Sequence, residues 1–184
     1  SLVDDSAVWI IPCMNPDGYA ANSRYNDDGY DLNRSFPKYG SGFAGTIFDE
    51  SVDLTVLPVE AAVAAEWAAR NSLVLSANFH AGALVVNYPY DYDGRSSGID
   101  VPSPDDLLFE TIARRYSILN EPMWNSSEFP DGITNGGAWY IIKGSLQDWL
   151  YRYLCCMAVT IELSNTKAPS SSQFNAFKAD NLDA

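Results

Sequence analysis

At 184 residues, with 47% hydrophobic, 19% charged and 13% aromatic side chains, the chain is long enough for one well-cored globular domain and too apolar for a disordered or collagenous one. Eleven Lys and Arg stand against 24 Asp and Glu, a formal net charge of −13, which leaves no broad basic surface for phosphates and argues against a nucleic-acid partner. No apolar run approaches the ~20 residues of a bilayer-spanning helix, and the single histidine, His80, excludes a metal site built from two histidines of this chain.

Taken in chain order, residues 7–12 form a short, partly β-branched apolar run that reads as a buried strand, stopped by the turn signal Asn15-Pro16-Asp17-Gly18. Residues 19–57 are rich in Gly, Asp, Asn, Ser and Tyr without a period and read as a long functional loop. Pro58 then opens an alanine-rich helix over residues 59–70, with Val59, Val63 and Trp67 recurring every four residues and closure near Asn71. Residues 72–79, running into His80, and residues 83–88 read as strands. A second helix is expected from a Ser103 N-cap and Pro104 to about Asn120, and residues 121–137 return to loop composition. Residues 157–163 are a compact strand, and from Ser170 onward Phe174, Phe177 and Leu182 are spaced for a final amphipathic helix. Strands interspersed with helices predict an α/β domain with a mixed, partly parallel central sheet flanked by helices.

Chemistry in such sheets collects beyond the carboxyl ends of strands. His80 stands at the rim of one such strand, expected to be buried, where an imidazole serves as a metal ligand or general base, or simply as a hydrogen-bonded structural histidine. Glu162 shares a strand face with Thr160, opposite Val159 and Ile161. Partial desolvation there would suit a general base, whereas an edge strand would leave it a surface carboxylate. Arg24 and Arg34 punctuate the polar loop. Asn33 and Arg34 together could fork onto a substrate carboxylate, or be ordinary surface groups. Tyr140, between Gly136-Gly137 and Gly144, reads as a lid phenol or a packed aromatic. Three cysteines, Cys13, Cys155 and Cys156, are too few for a disulfide scaffold. Cys155 and Cys156 lie in an apolar run, so an unrelated α/β hydrolase with a Ser or Cys nucleophile is disfavoured.

Several ordered motifs carry a family resemblance. They are Ile11-Pro12-Cys13-Met14-Asn15-Pro16-Asp17-Gly18-Tyr19, then Asp31-Leu32-Asn33-Arg34-Ser35-Phe36-Pro37, then Ser76-Ala77-Asn78-Phe79-His80-Ala81-Gly82 with Asn87-Tyr88-Pro89-Tyr90-Asp91. Asn135-Gly136-Gly137-Ala138-Trp139-Tyr140, Gln147-Asp148-Trp149 and Thr160-Ile161-Glu162-Leu163 follow. In this order they resemble a zinc metallocarboxypeptidase of the N/E (regulatory) subfamily, from about Trp9 to Pro169. The resemblance implies one Zn2+ with His80 as its third protein ligand, and Glu162 as the general base that activates water and passes the proton to the leaving amine. It implies Arg24 as the arginine that stabilises the oxyanion, Asn33 and Arg34 as the pair that binds the terminal carboxylate, and Tyr140 as a mobile tyrosine that closes over the scissile residue. Asp91 and Gln147 fall at the pocket for the C-terminal side chain, where a carboxylate favours Lys or Arg, unless Asp91 is a solvated turn residue.

Two departures bear on this. The family's first two zinc ligands, a His and a Glu three positions apart, precede the Asn-Pro-Asp-Gly motif, and residues 1–14 contain neither. With no initiator Met or basic leader either, the chain is expected to be the C-terminal portion, residues 1–184, of a catalytic domain lacking its N-terminal part, and inactive alone. Ser35 and Ser145 replace the family's Asn and Gly. The parent is expected to act on peptide or protein C-termini, with basic ends preferred, in the secretory pathway or outside the cell. The alternative is a catalytically silent carboxypeptidase-like binding module.

Overall fold

The computed structural model describes residues 5–38 and 56–184. The elements are α1 (Pro16–Ala21), a 3-10 turn (Leu32–Arg34), α2 (Val59–Arg70), β1 (Leu75–His80), β2 (Ala83–Tyr88), α3 (Asp106–Ser117), α4 (Glu121–Trp124), a second 3-10 turn (Pro130–Gly132), β3 (Ile133–Asn135), α5 (Gly136–Trp139), α6 (Leu146–Leu154), β4 (Met157–Ser164) and α7 (Phe174–Asn181). The four strands form one mixed sheet in the order β1-β4-β2-β3. β1 runs parallel to β4, β4 antiparallel to β2, and β2 parallel to β3. The expected mixed α/β architecture is what the chain adopts.

β4 is central, and its alternating side chains feed both faces of the sheet. Val159 and Ile161 join Val86, Tyr88 and Ile133 in a core closed by Phe109 and Ala113 of α3, Met123 of α4 and Tyr151 of α6. Ala158, on the other face, joins Phe36, the alanines of α2 and Trp149 and Leu150 of α6. Trp149 stacks on Phe36 with ring centroids 5.6 Å apart, which ties the Arg34 segment to α6.

Several sequence expectations need correction. Residues 7–12 form no strand: Val8, Trp9, Ile10 and Ile11 are exposed, because no strand among the described residues offers them a ladder. Trp9 instead meets Trp67 edge-on at 5.6 Å, lining an open apolar groove of about 460 Å³. Helix α2 occupies its expected span, but its buried stripe is Ala61, Ala65 and Ala68, while Val59 and Val63 face outward. Alanines at i, i+4 and i+7 let the helix approach the Phe36–Trp149 cluster more closely than valines would. β1 is an edge strand whose Leu75 and Phe79 are exposed while Ser76, Asn78 and His80 are half-buried, so it is not a buried strand, and it starts three residues later than expected. Helix α3 begins at Asp106 rather than near Ser103, and Asp105 at its N-cap spends its carboxylate on the Tyr151 hydroxyl at 2.7 Å. The expected loop 121–137 contains α4, β3 and the start of α5. Helix α7 forms as expected but buries no residue fully. Of the expected long loop 19–57, residues 39–55 lie outside the described residues.

Candidate active site

The parallel pairing of β1 with β4 sets His80 directly opposite Glu162. Partners in a ladder share a face, so the imidazole and the carboxylate leave the sheet side by side. Glu162 is only 8% exposed, and β4 has a neighbour on each side, which removes the reading of Glu162 as an edge or surface residue. Its Oε2 is buried without a hydrogen-bond partner in the protein. Burial pushes the Glu162 carboxyl up to about 7, with Arg24 and Lys167 pulling against it. His80 is driven the other way, down to about 4, first by burial and then by Arg24, with Asp31 opposing and Arg34 adding to the effect. A neutral imidazole and a poised carboxyl therefore stand together near neutral pH.

The same electrostatics place Arg24, Asp31 and Arg34 around His80. Arg24 reaches them because Asn15 caps α1, accepting from Gly18 N–H at 2.9 Å, and its amide donates to the Arg24 carbonyl at 3.3 Å. Arg24 Nη2 then donates to Asp31 Oδ1 at 2.9 Å. That same oxygen accepts the Asn33 N–H at 3.1 Å, so Asp31 joins the oxyanion candidate to the carboxylate clamp, a link that sequence reading missed. Asn33 Oδ1 accepts the Leu146 N–H at 2.9 Å, which satisfies one of the unpaired amides at the start of α6 and leaves the Asn33 NH2 as its free donor group. Gly144, at φ +81°, lies so close beneath this segment that a Cβ there would come within 2.7 Å of the Arg34 and Phe36 carbonyls. Tyr140 is 39% exposed; burial raises its phenol, Arg34 opposes that shift and Glu162 adds to it. Five of the candidates (His80, Glu162, Arg24, Arg34 and Tyr140) thus interact electrostatically at one end of the sheet.

Asp91 and Gln147 also meet. Gln147 Nε2 donates to Asp91 Oδ1 at 3.0 Å, and Asn87 Nδ2 donates to the same oxygen at 3.1 Å. Asp91 is 1% exposed, which overturns its reading as a solvated turn residue. Burial pushes its carboxyl up to about 6, against hydrogen bonds from Ser145, Asn87 and Gln147 and the charge of Arg34. Gly136 packs directly against it, where an added Cβ would fall 2.0 Å from Asp91 Oδ1. Asn135 braces the neighbouring backbone: its side chain donates to the carbonyls of Pro89 and Val101 and accepts the Val101 N–H. In the sequence Asn87, Asn135 and Asp148 stand only as members of the motifs and Ser145 only as a departure from the family's Gly, none of them with a role. The one signal available was that each is a small polar residue inside an apolar stretch or at a helix start.

The donors suit one imidazole position of a zinc site, with an unpaired carboxylate oxygen beside it. They do not complete that site, since a catalytic zinc needs three protein ligands, and among the described residues no group of three or more His, Cys, Asp or Glu side chains could hold an ion. The three cysteines are free.

Comparison with known proteins bears on these findings. The zinc carboxypeptidase family matches residues 1–184. Carboxypeptidase D of Anas platyrhynchos is 37% identical over 98% of this chain and 14% of its own length. The catalytic chain of carboxypeptidase N of Homo sapiens is 36% identical over 100% of this chain and 47% of its own, and carboxypeptidase M of Mus musculus is 36% identical over 98% and 42%. The chain therefore spans less than half the length of these relatives. Among solved structures, carboxypeptidase A from Helicoverpa armigera superposes with a TM-score of 0.65 at 18% identity, covering 95% of this chain and 48% of that one. Thrombin activatable fibrinolysis inhibitor superposes with a TM-score of 0.61 at 21% identity, covering 93% and 49%, and these two likenesses bear on the fold alone. By its sequence match over the whole of its length, the chain belongs to the zinc carboxypeptidase family.

Proposed function

We propose that the chain is the C-terminal portion of a metallocarboxypeptidase catalytic domain that cleaves the last peptide bond of substrates ending in Lys or Arg. The observation that carries this reading is the register of β1 with β4, which sets His80 beside Glu162 within the field of two arginines. His80 holds one zinc position, and a His and a Glu from upstream sequence complete the set. When bound, zinc supplies Lewis acidity at the scissile carbonyl.

The chain's own groups supply the rest. Glu162 takes a proton from the attacking water and delivers it to the leaving amine, a task that a carboxyl near 7 can perform in both directions. Arg24 offers fixed positive charge to the tetrahedral oxyanion. The Asn33 amide and the Arg34 guanidinium bind the terminal carboxylate, and Tyr140 covers the scissile residue. Asp91, held by Gln147 and Asn87, meets the basic side chain. Without the upstream ligands this chain neither retains zinc tightly nor hydrolyses peptides. Action in the secretory pathway or outside the cell accords with this reading, and no helix among the described residues is long and apolar enough to cross a membrane.

The test uses the full-length protein that carries this chain, assayed on peptides ending in Arg, Lys, Leu or Phe with and without chelator. Hydrolysis that chelator abolishes and that favours Arg and Lys is expected. Chelator-insensitive hydrolysis, or an upstream sequence without a His and a Glu separated by two residues, would overturn the zinc reading, and equal rates on the four peptides would overturn the basic preference.

A further inference from the structure

Helix α6 does more than contribute Gln147. Its Asp148 is 8% exposed, and its carboxylate accepts the Asp91 N–H through Oδ1 at 2.9 Å and Oδ2 at 3.1 Å, and the Tyr92 N–H through Oδ2 at 3.1 Å. These bonds reach two consecutive backbone amides 56 and 57 residues away in sequence. One helical turn later, Arg152 holds the other side of the same segment. Its guanidinium carbon lies 4.0 Å from the Tyr90 ring centroid, and its Nη2 donates to the Tyr92 carbonyl at 3.4 Å. The helix itself is anchored at its start by Ser145 and Asn33, which cap the amides of Asp148 and Leu146. The segment carrying Asp91 is thus gripped through its backbone by one rigid helix, and the same helix presents Gln147 to the Asp91 side chain.

We infer that Asp148 is a specificity-positioning residue: by holding the backbone amides of Asp91 and Tyr92, it sets where the Asp91 carboxylate stands relative to a basic C-terminal side chain. This rests on the reading of Asp91 as the group that meets that side chain. Asp148 has no role toward the reacting atoms. Its effect passes through the placement of Asp91, where a shift of about 1 Å can cost on the order of 100-fold in rate.

The experiment compares Asp148→Ala, Asp148→Asn and Asp91→Asn in the full-length protein, with kcat and KM measured on matched peptides ending in Arg and in Leu. Asp148→Ala is expected to lower the Arg-to-Leu ratio of kcat/KM by about 10- to 100-fold, mainly through KM for the Arg peptide. Asp148→Asn keeps one acceptor oxygen and sets an NH2 against the Asp91 N–H, and is expected to give an intermediate ratio even if Asp148→Ala fails to fold. A purely structural role would lower both peptides together and leave the ratio unchanged, and that result in a folded Asp148→Asn protein overturns the inference. If Asp91→Asn collapses the ratio while the Asp148 variants preserve it, the positioning role alone fails. If Asp91→Asn itself preserves the ratio, the reading of the pocket fails with it.

Discussion

If Asp91 selects basic C-termini by charge, selection must titrate with that carboxyl. Burial lifts Asp91 to about 6, so the free protein carries it ionised in about one molecule in ten at pH 5 and about nine in ten at pH 7. The pH profile of kcat/KM reports groups of the free enzyme. The Arg-to-Leu ratio of kcat/KM is therefore expected to rise roughly tenfold between pH 5 and pH 7. Taking the ratio divides out titrations shared by both peptides, Glu162 among them, and neither the Arg side chain nor the terminal carboxylate of the substrate titrates in that window. The groups facing Asp91 are Ser145 at the N-cap of α6, Gln147 and Asp148 of α6, Asn87 of β2, Arg34 of the first 3-10 turn and Tyr140 after α5. Of these, Asp148 is itself held well above the usual carboxylate range, by burial and then by Asp91. Asp91→Asn keeps an acceptor oxygen for Asn87 and Gln147 and removes only the charge, so its ratio is expected to be low and flat with pH. Linkage gives a second readout. A carboxyl raised in the fold contributes stability that is fully present below its unfolded value of 3.8 and is lost as pH rises through about 6. Asp91→Asn should therefore raise Tm at pH 7 and leave it nearly unchanged at pH 4. A wild-type ratio that is flat from pH 5 to pH 7, or one that still titrates in Asp91→Asn, refutes the assignment.

Other predictions follow from single contacts. Glu162→Gln in the full-length protein should lower kcat by about 10²- to 10⁴-fold while metal analysis finds zinc unchanged, since the proposed function makes Glu162 the base and not a ligand. Gly136→Ala must push aside Asp91, whose Oδ1 and Cα would lie 2.0 and 2.8 Å from the new methyl. It should cost about 1–3 kcal/mol in thermal unfolding and reduce the preference for basic peptides; an unchanged Tm and ratio would contradict the packing described. Met123→Ala empties a fully buried site between α3, β2 and β3. About 2–5 kcal/mol should be lost, seen as a Tm lower by roughly 4–20 °C, with no change in the Arg-to-Leu ratio.

Much of the fold could be read in the sequence where one residue type repeats with one period. The alanine-rich run after Pro58 became α2, and the apolar runs before Pro89 and around Ile161 became β2 and β4. The readings failed where a partner, rather than local pattern, decides the outcome. Residues 7–12 have the composition of a strand but no ladder to join. Val59 and Val63 look like a core stripe, yet the close approach of α2 to Phe36 and Trp149 selects the alanines between them. β3 is three residues long, too short to show alternation and hidden among Gly, Asn and Pro. Helix α6 has no counterpart among the expected elements, although Ser145 caps it and Leu146, Trp149, Leu150 and Tyr153 follow at helical spacing.

The site residues were legible as motifs, but the connections among them were not, because a hydrogen bond between distant polar groups leaves no periodicity. These connections converge on the first turn of α6. The Leu146 amide takes its partner from Asn33, 113 residues earlier; Gln147 reaches Asp91; and Asp148 binds the amides of Asp91 and Tyr92. Three consecutive residues thus join the proposed carboxylate clamp to the proposed side-chain pocket. A helical turn changes shape little when loaded, so the distance between the two subsites is set by a rigid element rather than by the loops that carry Arg34 and Asp91. That arrangement suits the proposed activity, in which a single residue would be measured from its carboxylate at one end to its charged tip at the other.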